Sequence, residues 1–289
     1  MLDYFLKLMA LWAVFGTAAS VVAYLADQAR LIHVAAAAIM GAGSYTAALL
    51  ATKLGWSPWL AISATIPAGM LLGLVIHLAT SRLSDDYLAL ATLAIAVILY
   101  GLMQNLEAIT NGPMGVSNIP QLAPVLGHQA ADLLALLAIT AVLINTIRKT
   151  GFGRRVRATR DDQELADNLE LRAARVRAAL FVGSSAILAL VGGFYGFVMR
   201  FIDPSSFTLR ESITILAMAL VFKVPLLIRG AAGALFFIAL PELLRFFGVE
   251  PTIGAQLRQL AFAIALIVIA ARAREMVGQH VIVRGKAHA

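Results

Sequence analysis

Long apolar runs dominate the pattern of hydrophobic and polar positions along the chain. A helix that crosses the hydrocarbon core of a bilayer needs about 20 mostly apolar residues, since it rises about 1.5 Å per residue. Lipid-facing strands are excluded, because an open sheet edge leaves backbone groups unpaired. The pattern therefore predicts an all-α, polytopic transmembrane bundle of about eight or nine spans in a single domain, 1–289. The candidate runs are 5–25, 32–51, 59–79, 87–103, 130–147, 178–199, 213–228, 230–247 and 257–271.

The runs 213–228 and 230–247 are less regular than the others, because Lys223, Pro225 and Arg229 interrupt them. This region forms two short helices, one broken helix or a re-entrant hairpin. Lys223 is either a charge inside the membrane or a lysine whose ammonium group reaches the interface.

The composition supports a membrane protein. The chain is 61% hydrophobic and 13% charged, whereas soluble domains are about 45–50% apolar and about 25% charged. Mean hydropathy is +0.86. These values exclude a water-soluble enzyme, a disordered chain and a coiled coil. The net charge of +7 would indicate nucleic acid in a soluble protein, but here it indicates basic cytoplasmic loops and no nucleic-acid partner.

The distribution of Lys and Arg predicts the orientation. The segment 148–177 holds nine basic and five acidic residues, a net charge of +9 − 5 = +4, and short basic loops stay in the cytoplasm. The same topology places Arg30, Arg82 and the basic C-terminal tail inside. It places 105–129, which has no Lys or Arg, outside. The N-terminus is then outside and the C-terminus inside, provided that the number of crossings is odd.

Small residues cluster within two of the runs. Such clusters usually mark close helix packing in lipid, and lining of a translocation path is the alternative. The candidate path residues are Gly41, Gly43, Tyr45, Thr92, Gly192 and Gly193.

The sequence lacks the motifs of the common catalytic sites. It has no cysteine, no P-loop, no H-E-x-x-H and no G-x-S-x-G. The five histidines are scattered. We therefore expect no catalytic residue, no metal site and no cofactor in this chain, and we expect that it is not an enzyme. Membrane-embedded carboxylates, which a proton-coupled carrier needs, are also missing, since Asp27, Asp85, Asp86, Glu107 and Asp132 lie near predicted span ends.

The segment 151–171 is the most highly charged part of the chain. Val156, Thr159, Leu165 and Leu169 form a modestly apolar face, and acids from Asp161 onward favour the start of a second short helix. The segment is a solvated loop, lies on anionic lipid or docks on a partner.

Four stretches carry a resemblance to a known family, and three shorter ones follow in the expected order. The stretch 110–120, TNGPMGVSNIP, is similar to an outer loop T-G-G-x-x-G-L-x-x-I-P, and 153–162, GRRVRATRDD, is similar to G-R-x-L-R-A-I-R-E-D. The chain resembles the LivM-type permease subunit of branched-chain amino acid ABC transporters. The other stretches are GAGSYTAALL (41–50), YLALATLAI (87–95), GGFYG (192–196), PSSF (204–207) and PELL (241–244).

The resemblance implies a permease subunit of an ATP-driven importer in the bacterial inner membrane, with branched-chain amino acids or related small polar solutes as substrates. It implies a second, LivH-like permease subunit, two ATPase subunits that bind ATP and Mg²⁺, and a periplasmic binding protein. The segment 154–171 would be the coupling helix. Its candidate ATPase-contacting residues are Arg154, Arg155, Arg157, Arg160, Asp161, Asp162 and Glu164.

The loop 110–120 has two interpretations. It is a periplasmic cap held by Gly-Pro turns, or it is an outside gate or docking point in which Asn111, Gly112, Pro113 and Gly115 act.

The chain departs from the family pattern at 222–230, FKVPLLIRG, where G-G-x-G-[ST]-x-x-G-P is usual, and in having His33 ahead of an alanine run. The rival functions are a self-sufficient secondary transporter or channel, whose ion site would need the broken 213–247 region, and a membrane-embedded enzyme.

Overall fold

The computed structural model of the chain describes residues 2–81, 83, 85–122, 126–246, 260 and 263–264. Regular structure in this part of the chain is helical, apart from one antiparallel bridge between Val116 and Ile202. The predicted last span, 257–271, falls mainly outside the described residues, as does Arg82.

Twelve α-helices make up the described part of the fold. They are α1 (Leu2–Ala29), α2 (Ala36–Lys53), α3 (Pro58–Ser63), α4 (Thr65–Thr80), α5 (Asp85–Asn105), α6 (Glu107–Thr110), α7 (Leu126–Lys149), α8 (Gly151–Asp161), α9 (Gln163–Asn168), α10 (Ala173–Met199), α11 (Leu209–Leu220) and α12 (Leu226–Phe246). Short 3₁₀ turns lie at Gly112–Met114 and Pro204–Phe207.

Six stretches in the described residues are long and apolar enough to cross a membrane. They are Leu2–Ala29, Pro58–Thr80, Tyr87–Asn105, Gly127–Lys149, Ala173–Met199 and Leu226–Leu243. Their outer surfaces carry large apolar side chains, such as Leu71, Leu78 and Ile139, which are more than 60% exposed. Apolar side chains in such number on the outside of a bundle fit a hydrocarbon surrounding. The predicted all-α transmembrane bundle is confirmed, and of the eight or nine spans six are seen in the described residues.

The interior is built on α10, which packs against α2 and α4. Backbones touch where glycines remove the side chain. A Cβ on Gly43 would lie 2.0 Å from the Ala189 carbonyl oxygen, and one on Gly192 would lie 1.9 Å from that of Met40. A Cβ on Gly69 or Gly73 of α4 would lie 2.5 Å from a backbone carbonyl oxygen of α10. These contacts are the close helix approaches that small residues permit in a bilayer.

α2 begins inside the bundle rather than at its surface. Between α1 and α2 the chain is non-helical over 30–35, where His33 is fully buried and Val34 donates its N–H to Thr92 Oγ1 (3.2 Å). The first turn of α2 is held by α11, because the Ala37 N–H donates to Ser212 Oγ (3.1 Å). These side-chain oxygens satisfy backbone donors that water cannot reach.

The region 213–247 forms two helices separated by a break. α11 has 12 residues and ends at Leu220, so it spans only about 18 Å. α12 starts at Leu226 after Pro225. The structure has two helices here, but the predicted alternative of two short helices is met only by α11, because α12 is of spanning length. Lys223 lies exposed in the break.

Contacts at the two ends of the bundle agree with the predicted sidedness. Arg160, in the basic segment after α7, donates to the carbonyl oxygen of Asp27 near the end of α1 (3.0 Å). The beginning of α1 lies at the opposite end, where the Tyr4 hydroxyl donates to a carboxylate oxygen of Glu242. The start of α1 and the segment 148–177 are therefore on opposite sides of the bundle.

We predict that Gly192→Ala destabilises the bundle by roughly 1–3 kcal/mol, because the new methyl group overlaps the Met40 carbonyl. The matched control is Gly183→Ala in the same helix, since a Cβ at Gly183 has no neighbour within 4 Å. Thermal unfolding in detergent should show a midpoint lowered by several degrees for the first variant and unchanged or raised for the second. Equal midpoints for the two variants would contradict the packing.

Candidate functional site

The segment predicted as one coupling helix, 154–171, is two helices. α8 ends at Asp161 and α9 begins at Gln163. Asp162 between them has extended backbone angles, and its Oδ1 accepts the N–H of Leu165 (2.9 Å). An aspartate in this position caps the new helix instead of continuing the old one. The single-helix prediction is therefore wrong, whereas the predicted second short helix is confirmed.

α8 is fixed against the end of α7. A Cβ on Gly153 would lie 2.4 Å from the Ile147 carbonyl oxygen, so the two backbones are in direct contact there. Arg157 Nη1 donates to the Arg148 carbonyl oxygen (3.0 Å), and Val156 is buried. Because of these contacts, α8 is held at a set angle to a membrane-spanning helix.

The predicted ATPase-contacting residues divide into exposed and inward groups. Arg154, Arg155 and Asp161 are exposed. Arg157 and Asp162 make the local contacts described above, so their first role is to shape the segment. The backbone of Glu164 belongs to α9, but its side chain lies outside the described part of the structure.

Arg160 connects the segment to the transmembrane helices. Its Nη1 donates to the Asp27 carbonyl oxygen, and its Nε and Nη2 both lie 2.9 Å from Asp161 Oδ1. The carboxylate of Asp27 in turn pairs with Arg229 Nη1 at 2.8 Å. Arg229 Nε donates to the Val224 carbonyl oxygen in the break before α12 (3.1 Å). We call this set, Arg160, Asp27 and Arg229, the arginine link.

Other residues of the segment 151–177 are exposed. Leu165 and Leu169 are 55% and 62% exposed, which is unusual for leucine in a polar segment. A cavity of about 370 Å³ lies beside α8, and it is lined by Phe152, Arg155, Glu170, Leu171, Arg172, Arg175 and Val176. We call Arg154, Arg155, Leu165, Leu169 and this cavity the coupling surface. Its mixture of apolar and cationic groups is suited to binding another protein.

The predicted outer loop is folded into a compact cap. Asn111, Gly112 and Gly115 have positive φ angles of 64°, 55° and 69°. Asn111 Nδ2 donates to the Gly115 carbonyl oxygen (3.0 Å). Pro113 lies in the 3₁₀ turn and is exposed. Turns of this kind favour glycine and asparagine at the positive-φ positions.

The cap is joined to the segment that follows α10. Val116 and Ile202 exchange two backbone hydrogen bonds, of 2.8 Å and 3.1 Å. A Cβ on Gly115 would lie 2.1 Å from the Ile202 carbonyl oxygen, which leaves no room for a side chain there. These contacts agree with the interpretation of the loop 110–120 as a cap. Its interpretation as a gate or docking point stays a prediction.

The six candidate path residues all lie buried within the chain. Gly43, Gly192 and Gly193 occupy close helix contacts, and Gly41 faces Met103 and Phe207. The packing alternative accounts for these glycines. Thr92 stabilises the non-helical segment 30–35, as described above, and Tyr45 is 4% exposed.

Sequence reasoning missed a charged cavity between α1, α11 and α12. It has a volume of about 300 Å³ and includes Arg210, Glu211, Thr214 and Glu242 among its lining residues. Arg210 and Glu211 lie just before the run 213–228, so hydropathy assigns them to a loop. The sequence PSSF at Pro204–Phe207 is the signal that could have located them. It forms a 3₁₀ turn, and its Phe207 is buried against Gly41. The chain therefore returns to the bundle at this turn, just before Arg210 and Glu211.

Residues 4–271 match the family described as the permease component of branched-chain amino acid transport systems. The chain is 29% identical over 237 residues to the LivM permease of the high-affinity branched-chain amino acid transport system of Salmonella typhimurium. It is 27% identical over 233 residues to the LivM permease of Escherichia coli. A probable LivH permease of Methanocaldococcus jannaschii is 25% identical over 176 residues, which cover 56% of each chain.

The two LivM alignments cover 70% of this chain and 52% of each relative, so the chain spans about half the length of these curated relatives. No solved structure matches the chain.

Cysteine labelling tests which end of the bundle faces the cytoplasm. The sequence has no cysteine, so a membrane-impermeant maleimide reports only on an introduced one. We expect Ser117→Cys in the cap to react in intact cells, and Asn168→Cys in α9 to react only after permeabilisation. Both positions are exposed. The reverse pattern would overturn the orientation.

Proposed function

The chain belongs to the family of branched-chain amino acid transport permeases of the LivM type, and from this premise we propose that it is the transmembrane permease subunit of an ATP-driven importer. The substrate is a branched-chain amino acid or a related small polar solute. Family membership and the multi-pass helical bundle support this role.

The complete importer lies in the bacterial inner membrane. A second, LivH-like permease subunit completes the translocation path, and a periplasmic binding protein delivers the substrate. ATP and Mg²⁺ bind to two separate ATPase subunits, since this sequence has no P-loop.

The coupling surface is the docking site for an ATPase subunit. Its exposed leucines supply apolar area at the centre of a contact, and its arginines set the register and exclude wrong partners more than they add affinity. Arg154, Arg155 and Asp161 make these polar contacts. The rigid corner between α7 and α8 supports this role, because a docked partner then pushes on a spanning helix directly.

The arginine link carries the motion into the transmembrane helices. When ATP binding closes the ATPase pair, α8 moves as a short rigid element. Arg160 passes the displacement to the end of α1, and the pair between Asp27 and Arg229 passes it to the start of α12. This connection, made by a few hydrogen-bonded charges, is the observation that carries the proposal.

Replacing both exposed leucines tests the docking site. In Leu165→Glu/Leu169→Glu we expect ATPase subunits to be lost from the purified complex at least tenfold. Each leucine contributes about 1.5–3 kcal/mol when it is buried by a partner, and 1.4 kcal/mol corresponds to a factor of ten. The matched control, Leu165→Met/Leu169→Met, keeps the apolar surface and should retain the ATPase. Normal ATPase retention by the glutamate pair would refute the docking site.

Removing Arg160 tests the link. In Arg160→Ala the ATPase subunits should still bind and hydrolyse ATP, but substrate uptake into proteoliposomes should fall roughly tenfold. A hydrogen bond from a charged group contributes about 1.5–3 kcal/mol, and that contribution is lost. Lys149→Ala removes an exposed cation from the same segment without touching the link and should leave uptake unchanged. Equal uptake per ATP in both variants would contradict coupling through Arg160.

A further inference from the structure

The charged cavity between α1, α11 and α12, which we call the outer cavity, is not used by the coupling mechanism. Its apolar wall comes from two spanning helices and includes Leu11 and Phe15 of α1 and Phe237 of α12. Its polar side comes from the first turns of α11, with Arg210, Glu211 and Thr214, and from Glu242 of α12.

The exposure of Arg210 indicates what this face of the molecule meets. Its side chain is 58% exposed, and Arg210 Nε is 3.9 Å from Glu211 Oε1, so the guanidinium group is only loosely paired. A charged side chain beside spanning helices faces water or protein rather than hydrocarbon, because burial in lipid costs several kcal/mol. The mouth of the outer cavity beside Arg210 therefore faces water or protein rather than the hydrocarbon core.

The arrangement of charge fits a zwitterion. A guanidinium group binds a carboxylate through two parallel hydrogen bonds. The N-terminal turns of α11 add positive potential on the same side of the cavity. Glu242 lines the cavity from α12, accepts a hydrogen bond from the Tyr4 hydroxyl and keeps further acceptor capacity for an ammonium group.

The charge of its lining residues and its volume restrict further which ligands fit the outer cavity. Arg210, Glu211 and Glu242 sum to a formal charge of −1, which disfavours a monoanion that lacks an ammonium group. The volume of about 300 Å³ is at the lower end of ligand pockets, which run from about 300 to 1,000 Å³. It suits one amino acid rather than a peptide. The leucine and phenylalanine wall suits an apolar side chain.

We propose that the outer cavity binds a single zwitterionic α-amino acid with an apolar side chain, with Arg210 on its carboxylate, Glu211 and Glu242 on its ammonium group, and α1 and α12 around its side chain. The assignment rests on the proposed transport function and adds to it the place and the chemistry of a substrate site within this chain.

The test is equilibrium binding of L-leucine to the purified full complex without the binding protein, with 4-methylpentanoate and 3-methylbutylamine as probes that lack the ammonium and the carboxylate group. The wild-type complex should bind L-leucine at least tenfold more tightly than either probe. Arg210→Gln should lower the affinity for L-leucine at least tenfold and leave the affinity for 3-methylbutylamine unchanged. Glu242→Gln should lower the affinity for 3-methylbutylamine and raise the affinity for 4-methylpentanoate.

The matched control is Arg200→Gln, which changes an exposed arginine of the same outer segment that does not line the cavity. It should bind all three probes like wild type. The opposite shifts in Glu242→Gln keep the test valid if Arg210→Gln does not fold. Unchanged L-leucine binding in Arg210→Gln, or no binding to the wild-type complex, would overturn the site.

The readout is binding without ATP, so it is separate from the proposed function. If binding follows the prediction but uptake proves independent of the ATPase subunits, the coupling proposal fails and the site remains. If uptake requires ATP but no variant changes binding, the site fails alone.

Discussion

A hydrogen-bonded network at the end of α1 joins α8 to the transmembrane helices. Arg160 of α8 donates to the backbone carbonyl oxygen of Asp27, and the Asp27 carboxylate pairs with Arg229 of α12. The Asp27 carboxylate is two-thirds buried and lies between a peripheral segment and the transmembrane helices. Removal of Arg229 would take the paired charge from a partly buried carboxylate, whereas removal of Arg160 would take the donor from a backbone carbonyl oxygen. A displacement of α8 relative to α1 either breaks the hydrogen bond from Arg160 or moves the end of α1 with it.

The spanning helices that meet at Asp27 extend to the opposite end of the bundle. α2, α4 and α10 form a tightly packed unit, because glycines bring their backbones into contact. α1 and α12 run side by side from the arginine link to the opposite end, where Tyr4 meets Glu242. The two helices joined by the arginine link therefore also wall the outer cavity. Under the two proposals above, a displacement of α8 and a ligand in the outer cavity would act on the same pair of helices.

Much of the fold was predictable from the sequence because span length and hydropathy decide it. The runs that became α1, α5, α7, α10 and α12 are long and apolar, and the basic segment 148–177 stands out by charge. Hydropathy does not show how deep in the bundle a helix begins, so the buried start of α2 was not predicted. For the same reason Arg210 and Glu211 were assigned to a loop, although they line a cavity.

The roles of the site residues stay predictions, because composition does not distinguish packing from function. Gly43 and Gly192 occupy helix contacts whose partners are distant in sequence, so only the three-dimensional structure separates the two roles. Asp162 matched the family motif, but its carboxylate caps α9.

The most direct test of the central claim is uptake of L-leucine by proteoliposomes that hold the permease subunits, measured with and without the ATPase subunits and ATP. With the binding protein added to every sample, we expect uptake only when both the ATPase subunits and ATP are present. Uptake by this chain alone, driven by an ion gradient, would contradict it.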